Sequence, residues 1–437
     1  MIDTGDTAWV LISAALVFFM TPGLALFYGG MVRSKNVLTT IMQSMFILAM
    51  ISVEFIVIGY TMAFGPDING FIGDFSKVGL TGIGMKILDG GTIPELAFVA
   101  FQCMFAALTP ALITGAFAER MKFKAFAILM LLWAVLIYNP MAHWVWGGGF
   151  LAELGALDFA GGLVIHILSG VSGLTLCILL GKRSGYGRTA MLPHNLPMTV
   201  LGASILWFGW FGFNAGSALG ANALAASAFV VSQAAAAAAT VSWVLLEWKF
   251  SGKPTVLGAV SGCIAGLVAI TPAAGFVEPL PAIIIGLVGG GICYFAVAVL
   301  KDKLGYDDSL DAFGIHGIGG TWGSLATGLW ATTGVNPAGA NGLFYGETDL
   351  FVAQVISTVV AYALAIVGTF ILFKIVSAIC DVRADESEEL AGLDIVEHGE
   401  RGYGRSVVGG TIMGSFEDSS EMLANTVMKV NAKGGTV

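Results

Sequence analysis

The chain has 437 residues, of which 57% are hydrophobic and only 11% charged, with a mean hydropathy of +0.85. Soluble domains carry about 25% charged residues, so this composition excludes an ordinary soluble enzyme and points to a membrane protein. The formal net charge of −9, which owes much to the acidic segment after Cys380, argues against nucleic acid as a partner.

About 20 mostly apolar residues cross the hydrocarbon core of a bilayer. Eleven such spans are expected, at 7–31, 37–64, 95–118, 122–142, 161–181, 197–215, 223–246, 255–271, 281–300, 311–331 and 350–378. No Lys or Arg precedes Arg33, and a secretory signal needs a basic start, so the first span is read as retained. Glu54 lies within the second span, either as a pore or interface group or as a carboxyl kept neutral by burial; the structural reading is preferred. The loop 65–94 that follows is long, Gly-rich and acidic, and the sequence assigns it no role. Sixty glycines and the run Ala234–Ala239 suit close helix packing in lipid. The five cysteines are scattered, none in a CxxC, so neither a disulfide framework nor a zinc site is expected.

Loop charges orient the spans. Arg33, Lys35, Arg120, Lys122, Lys124, Lys182, Arg183, Arg188, Lys249, Lys253, Lys301 and Lys303 all fall on one side; only Lys77 and Lys86 fall on the other. Positive residues mark the cytoplasmic side, so the N-terminus is expected outside and the C-terminus inside. The expected division is a membrane domain over 1–380 and a polar cytoplasmic tail over 381–437.

Two histidines lie inside spans, His166 in the fifth and His316 in the tenth. Aligned on them, Ile165 matches Ile315, Gly170 matches Gly320 and Gly173 matches Gly323. Glycines four and seven residues on share the histidine's helix face. Five spans separate the two, so the helices run in opposite directions. This is the mark of an inverted repeat of spans 1–5 and 6–10, followed by a final long span. Such repeats place a substrate path at their interface near the midplane. A buried polar group without a partner costs about 2–7 kcal/mol, so ionisable residues within spans are functional candidates. The two rings can satisfy each other by sharing a proton, and can relay a proton or hold a small polar solute. No HxxxH or carboxylate cluster accompanies them, so metal ligation is not expected. His143, His194 and His398 are read as loop or tail residues. Gly181-Lys182 lacks the earlier glycine of a nucleotide-binding loop, so neither ATP nor a cofactor is expected.

The segments Pro22–Asn36, Phe101–Phe105, Ala118–Arg120, His143–Gly149, Asp158–Gly173, Trp210–Ser217, Asp311–Gly317 and, in the tail, Gly392–Tyr403 form one further pattern. Together they resemble the ammonium transporter (Amt) family, within the Amt/Mep/Rh superfamily. The resemblance implies a multi-pass protein of the cell membrane that transports ammonium or ammonia and is not an enzyme. It implies an outer cation-recruiting site of Trp146, Phe105 and Ser217, with Asp158 as an essential structural and electrostatic residue there. An aromatic face attracts a cation by about 0.5–2 kcal/mol, and a serine hydroxyl accepts a hydrogen bond from N–H. Asp158 is equally suited to cap the fifth span. Phe105 and Phe213 would form a gate below that site. His166 and His316 would line the pore, with Trp210 beside them.

A homotrimer and a PII-class signal protein docking on the cytoplasmic face are further implications. So is an ordered tail that contacts a neighbouring subunit, although Gly402 departs from the family's alanine and residues after Tyr403 match nothing. Two alternatives share the fold: an ammonium sensor, and a channel for another small solute.

Overall fold

A computed structural model describes residues 1–403 and two short antiparallel strands, Ser406–Val408 and Thr411–Met413; the other tail positions lie outside the described residues. Each expected apolar run is a helix. They are α1 (Thr4–Met31), α2 (Ser34–Phe64), α3 (Glu95–Phe117), α4 (Phe123–Glu153), α5 (Gly162–Leu180), α6 (Leu196–Gly216), α7 (Ala223–Ser251), α8 (Val256–Ile270), α9 (Pro279–Leu304), α10 (Ile318–Trp330) and α11 (Asp349–Ile379). Among the described residues nine of them are long and apolar enough to cross a membrane; α8 and α10 are shorter, and α10 is extended by a wide turn over Phe313–Gly317. The protein is an all-α, multi-pass membrane protein. Local signals set the ends: Asn195, Asn222 and Thr255 cap α6, α7 and α8 through their side chains, and Pro279 opens α9.

Small residues let the helices close on one another. A side-chain carbon at Gly202 of α6 would lie 2.2 Å from the Phe27 amide of α1, so these two helices touch backbone to backbone. Ala235, Ala236 and Ala239 are fully buried, and Gly266 and Gly286 press against the Ala235 carbonyl. The alanine run is therefore the packing face that its composition suggested. In α2 the Glu54 carboxyl is buried and accepts a 2.8 Å hydrogen bond from Asn139 Nδ2 of α4, an interface contact.

The two ends of the bundle differ. At the basic end, Glu119 meets Arg33 at 2.6 Å and Arg183 at 3.4 Å, and Asp307 meets Arg183 at 2.7 Å. Burial alone would raise both carboxyls, yet the guanidiniums outweigh it and hold them below the usual range. The tail folds back beneath this end as two short helices, α12 (Glu386–Ala391) and α13 (Leu393–His398). Asp394 accepts from the Leu38 and Thr39 amides at 3.0 and 2.8 Å, and Tyr403 Oη meets His194 Nε2 at 2.6 Å. At the opposite end, here called the mouth, the loop 65–94 forms a hairpin of β1 (Asp67–Ile68) and β2 (Ile72–Gly73).

Candidate functional site

Phe98, Phe101 and Phe105 recur at helical spacing on α3 and so share one face. That face lines a mouth cavity of about 520 Å³ together with Gln102, Trp146 and Ser217. Trp146 ends the helical run Asn139–Trp146, and its Nε1 donates to the Asp158 carbonyl at 2.8 Å. The Ser217 hydroxyl donates to the Phe213 carbonyl at 2.9 Å. Its proton is thereby used, so the oxygen is left as an acceptor suited to an N–H donor. At the rim Glu95 takes Tyr60 Oη at 2.8 Å and Lys77 Nζ at 2.7 Å.

The floor of this cavity is aromatic. Phe105 and Phe213 meet edge to face, with centroids 4.5 Å apart, and both are buried. Phe101 packs edge-on against Phe105 at 4.6 Å. Beneath the rings lies a second cavity of only about 10 Å³, lined by His166, His316, Trp210, Phe27 and aliphatic side chains of α1, α3, α6 and α8. The His166 ring stacks against Phe213 at 6.0 Å and Trp210 at 5.5 Å. The Nδ1 atoms of His166 and His316 are 3.2 Å apart. With both imidazoles neutral, one Nδ1 donates and the other accepts. His166 Nε2 has no partner among the described residues. Trp210 is held by its Nε1 donating to Thr271 Oγ1 at 2.9 Å.

Asp158 faces neither cavity. Its carboxylate accepts from the amides of Gly161, Gly162, Leu163 and Val164 at 2.6–3.2 Å, at the start of a wide turn over Gly162–Ile167. Burial pushes its carboxyl above the usual range, and the four amides pull it partly back. Asp308, also eight residues before its histidine, accepts from Ala312 and Phe313 at the start of the second wide turn. Gly161 and Asp311, each five before its histidine, both take positive φ, 119° and 62°. Asp158 sits at the mouth and Asp308 at the basic end, so the two helices run in opposite directions.

The structure thus gathers Trp146, Phe105 and Ser217 around one cavity and His166, His316 and Trp210 around another, with Phe105 and Phe213 between them. Sequence reasoning gave no role to Phe101, Gln102, Asp308 or Thr271. The first two were legible as neighbours of Phe105 on its helix face, and Asp308 as the repeat partner of Asp158. His143 corrects an expectation. It is no loop residue: α4 continues through Trp146, and the ring is fully buried between Ala63 O and Asp67. Its burial is set by a contact with the distant end of α2, which local polarity does not reveal.

Fold and cavities define a multi-pass membrane protein with two stacked, aromatic-partitioned cavities between oppositely running helices. The profile of the Ammonium Transporter Family matches residues 8–403. An ammonium transporter of Bacillus subtilis (strain 168) is 56% identical over 400 residues, 91% of this chain and 98% of that one. The crystal structure of Saccharomyces cerevisiae Mep2 superposes with a TM-score of 0.82 at 35% identity, over 89% of each chain. A solved Sensor Amt Protein gives 0.84 at 28% identity, over 90% of this chain and 98% of that one. The chain belongs to the ammonium transporter family.

Proposed function

We propose that this chain takes up ammonium by recruiting the cation at the mouth cavity and passing neutral ammonia along the histidine pair. Trp146 and Phe105 offer ring faces to the cation, and Ser217 offers an acceptor oxygen to its N–H. The observation that carries the reading is the change in scale at the phenyl partition, from about 520 Å³ above it to about 10 Å³ beside the facing imidazoles. A bare charge at the bilayer centre costs from about 3 to over 10 kcal/mol, whereas ammonia costs far less. Deprotonation therefore falls at the Phe105–Phe213 gate. Whichever ring donates between the Nδ1 atoms, the outer ring nitrogens supply one donor and one acceptor to a passing ammonia. The same pair can relay the released proton, which makes transport electrogenic.

We extend the proposal to eleven crossings with the N-terminus outside, a membrane domain over 1–380 and a cytoplasmic tail over 381–437. Family resemblance adds a homotrimer with one pore per subunit and a PII-class partner on the basic end. The tail's docking against the start of α2 at 35–39 and the loops at 120–123 and 182–194 supports regulation from that end.

Methylammonium uptake in cells lacking their own transporters tests the reading. The intact chain is expected to give saturable uptake, and His166→Ala and Phe105→Ala to lose at least about ten-fold, the scale of one deleted site interaction. Absence of uptake by the intact chain overturns transport and leaves the sensor, whose fold this chain also shares. Wild-type uptake by both variants overturns the route. In proteoliposomes, absence of ammonium-dependent current removes the electrogenic part.

A further inference from the structure

His143 is a buried ring that the transport reading leaves unused. It lies on α4 one helical turn before Trp146. Its Nδ1 is 3.0 Å from the Ala63 carbonyl oxygen at the end of α2, and its Nε2 is 2.8 Å from Asp67 Oδ1 in the hairpin. A carbonyl and a carboxylate both only accept. A neutral imidazole carries one N–H and so satisfies one of them, leaving the other facing a lone pair. The arrangement is complete only when the ring holds both protons.

The hairpin that Asp67 begins is tied to the Trp146 segment at further points. Trp144 Nε1 donates to the Phe71 carbonyl at 2.8 Å, and the Phe150 amide donates to the Gly70 carbonyl at 3.0 Å. The Gly70 amide in turn donates to the Asp67 carboxylate at 2.9 Å. The Trp146 backbone is therefore clamped on both sides by one hairpin, and the His143–Asp67 contact is the charged link in that clamp.

We infer that His143 and Asp67 form a proton-dependent latch that positions Trp146, so that affinity at the mouth depends on pH through this pair as well as through the substrate's own protonation. The hydrogen bond from His143, then that from the Gly70 amide, holds the Asp67 carboxyl below its usual range, so the group facing Nε2 is a carboxylate that can only accept. The charged groups on the neighbouring elements are engaged elsewhere. Asp74 is bonded to Ser76, Glu95 to Lys77 and Tyr60, and Asp158 to the amides that open α5. Glu153 lies beyond the Gly147–Gly149 break in α4. His143 and Asp67 are positioning residues: they act on the substrate only through Trp146.

This inference rests on the transport reading, and two variants separate them. In Asp67→Asn the amide can donate to a neutral Nε2, so the latch no longer needs the second proton. In Asp67→Ala it is broken at every pH. Methylammonium uptake is measured from about pH 6 to about pH 8.5, the range in which a histidine changes charge, with KM expressed in cation concentration. The intact chain is expected to raise its KM by at least about three-fold toward the alkaline end, the scale of one weak net hydrogen bond, with little change in maximal rate. Asp67→Asn is expected to hold a flat, low KM, and Asp67→Ala a raised KM throughout. An Asp67→Asn profile that follows the intact chain, or an Asp67→Ala KM equal to that of the intact chain at the acid end, overturns the latch.

Should the intact chain take up nothing, the transport reading falls and hydrogen exchange still decides the latch. In detergent, the Gly70 and Phe150 amides of the intact chain are expected to exchange faster than those of Asp67→Asn at alkaline pH and equally fast at acid pH. Equal exchange throughout overturns it.

Discussion

Helices α5 and α10 start in the same way from opposite ends of the bundle. Each has an aspartate eight residues before its histidine, a positive-φ residue five before it, a wide turn around it and a glycine four after it. Their surroundings differ. Asp158 accepts from four amides and its carbonyl holds Trp146. Asp308 accepts from two amides, beside the Lys301–Asp311 pair and next in sequence to Asp307, which pairs with Arg183. The repeat therefore duplicates a backbone device that brings two histidines face to face inside the bundle, while the side chains around each start tie one end to Trp146 and the other to a charged loop network.

The largest expected effect separates the two aspartates. Asp158→Ala leaves four buried amides without their acceptor and is expected to cost about 4 kcal/mol, whereas Asp308→Ala leaves two and costs about 2 kcal/mol, at roughly 1 kcal/mol per orphaned donor. Thermal unfolding of the detergent-purified protein, followed by tryptophan fluorescence, measures both. Equal losses would mean that the amides do not set the difference and that the neighbouring charges do.

A smaller effect is expected at the glycines that follow the histidines. A side-chain carbon at Gly170 would lie 2.1 Å from the Gly317 amide nitrogen, a backbone atom of the facing helix. At Gly320 the nearest atom is His166 Cβ at 3.0 Å. Gly170→Ala must push two backbones apart and is expected to cost about 3 kcal/mol, whereas at Gly320 His166 Cβ and the Gly162 carbonyl at 3.1 Å need give by only a few tenths of an ångström, so Gly320→Ala is expected to cost about 1 kcal/mol. The same unfolding assay reads both. Gly320→Ala should also slow uptake, since one of the atoms that yield belongs to His166, which we propose lines the ammonia route. An unchanged rate would show that the His166 ring position tolerates displacement.

The spans, the histidine pair and its flanking glycines were legible because each depends on a local pattern: apolar length, a buried ionisable residue, a repeated spacing. The match of Asp158 with Asp308 is equally local, lying at one fixed offset from each histidine, but outside the glycine pattern that marks the repeat. The edge-to-face contact of Phe105 with Phe213 was reachable only through family resemblance, since Phe213 lies 108 residues on and nothing in either segment fixes their approach. His143 was misread for the same physical reason. Its partners, Ala63 O and Asp67, are set by how α2 and α4 cross, and Gly147–Gly149 made the segment look like a loop. The tail's docking through Asp394 likewise depends on the amides of Leu38 and Thr39, whose exposure at a helix start no composition reveals.

The smallest expected effect is electrostatic and again divides the two helix starts. Burial first, then Asp311, raises the Asp308 carboxyl from 3.8 to about 6. Between those values the native protein holds a proton that the unfolded chain has released. The stability this group contributes is therefore complete below about pH 4 and is lost as pH rises through about 6. Glu119 and Asp307 run the other way: their arginines hold them low, so their contribution is present above the ordinary carboxylate range and is lost as pH falls through the depressed values. The intact protein sums these opposed slopes, and the difference between it and Asp308→Asn isolates one of them. From about pH 5 to about pH 7 that difference is expected to move by about 1 kcal/mol in favour of the variant. A difference that stays constant across the window would mean that Asp308 is already ionised at pH 5, with Lys301 and the amides of Ala312 and Phe313 outweighing its burial. The two aspartates would then differ in kind, one a strained cap under the mouth and the other a member of the basic-end ion network.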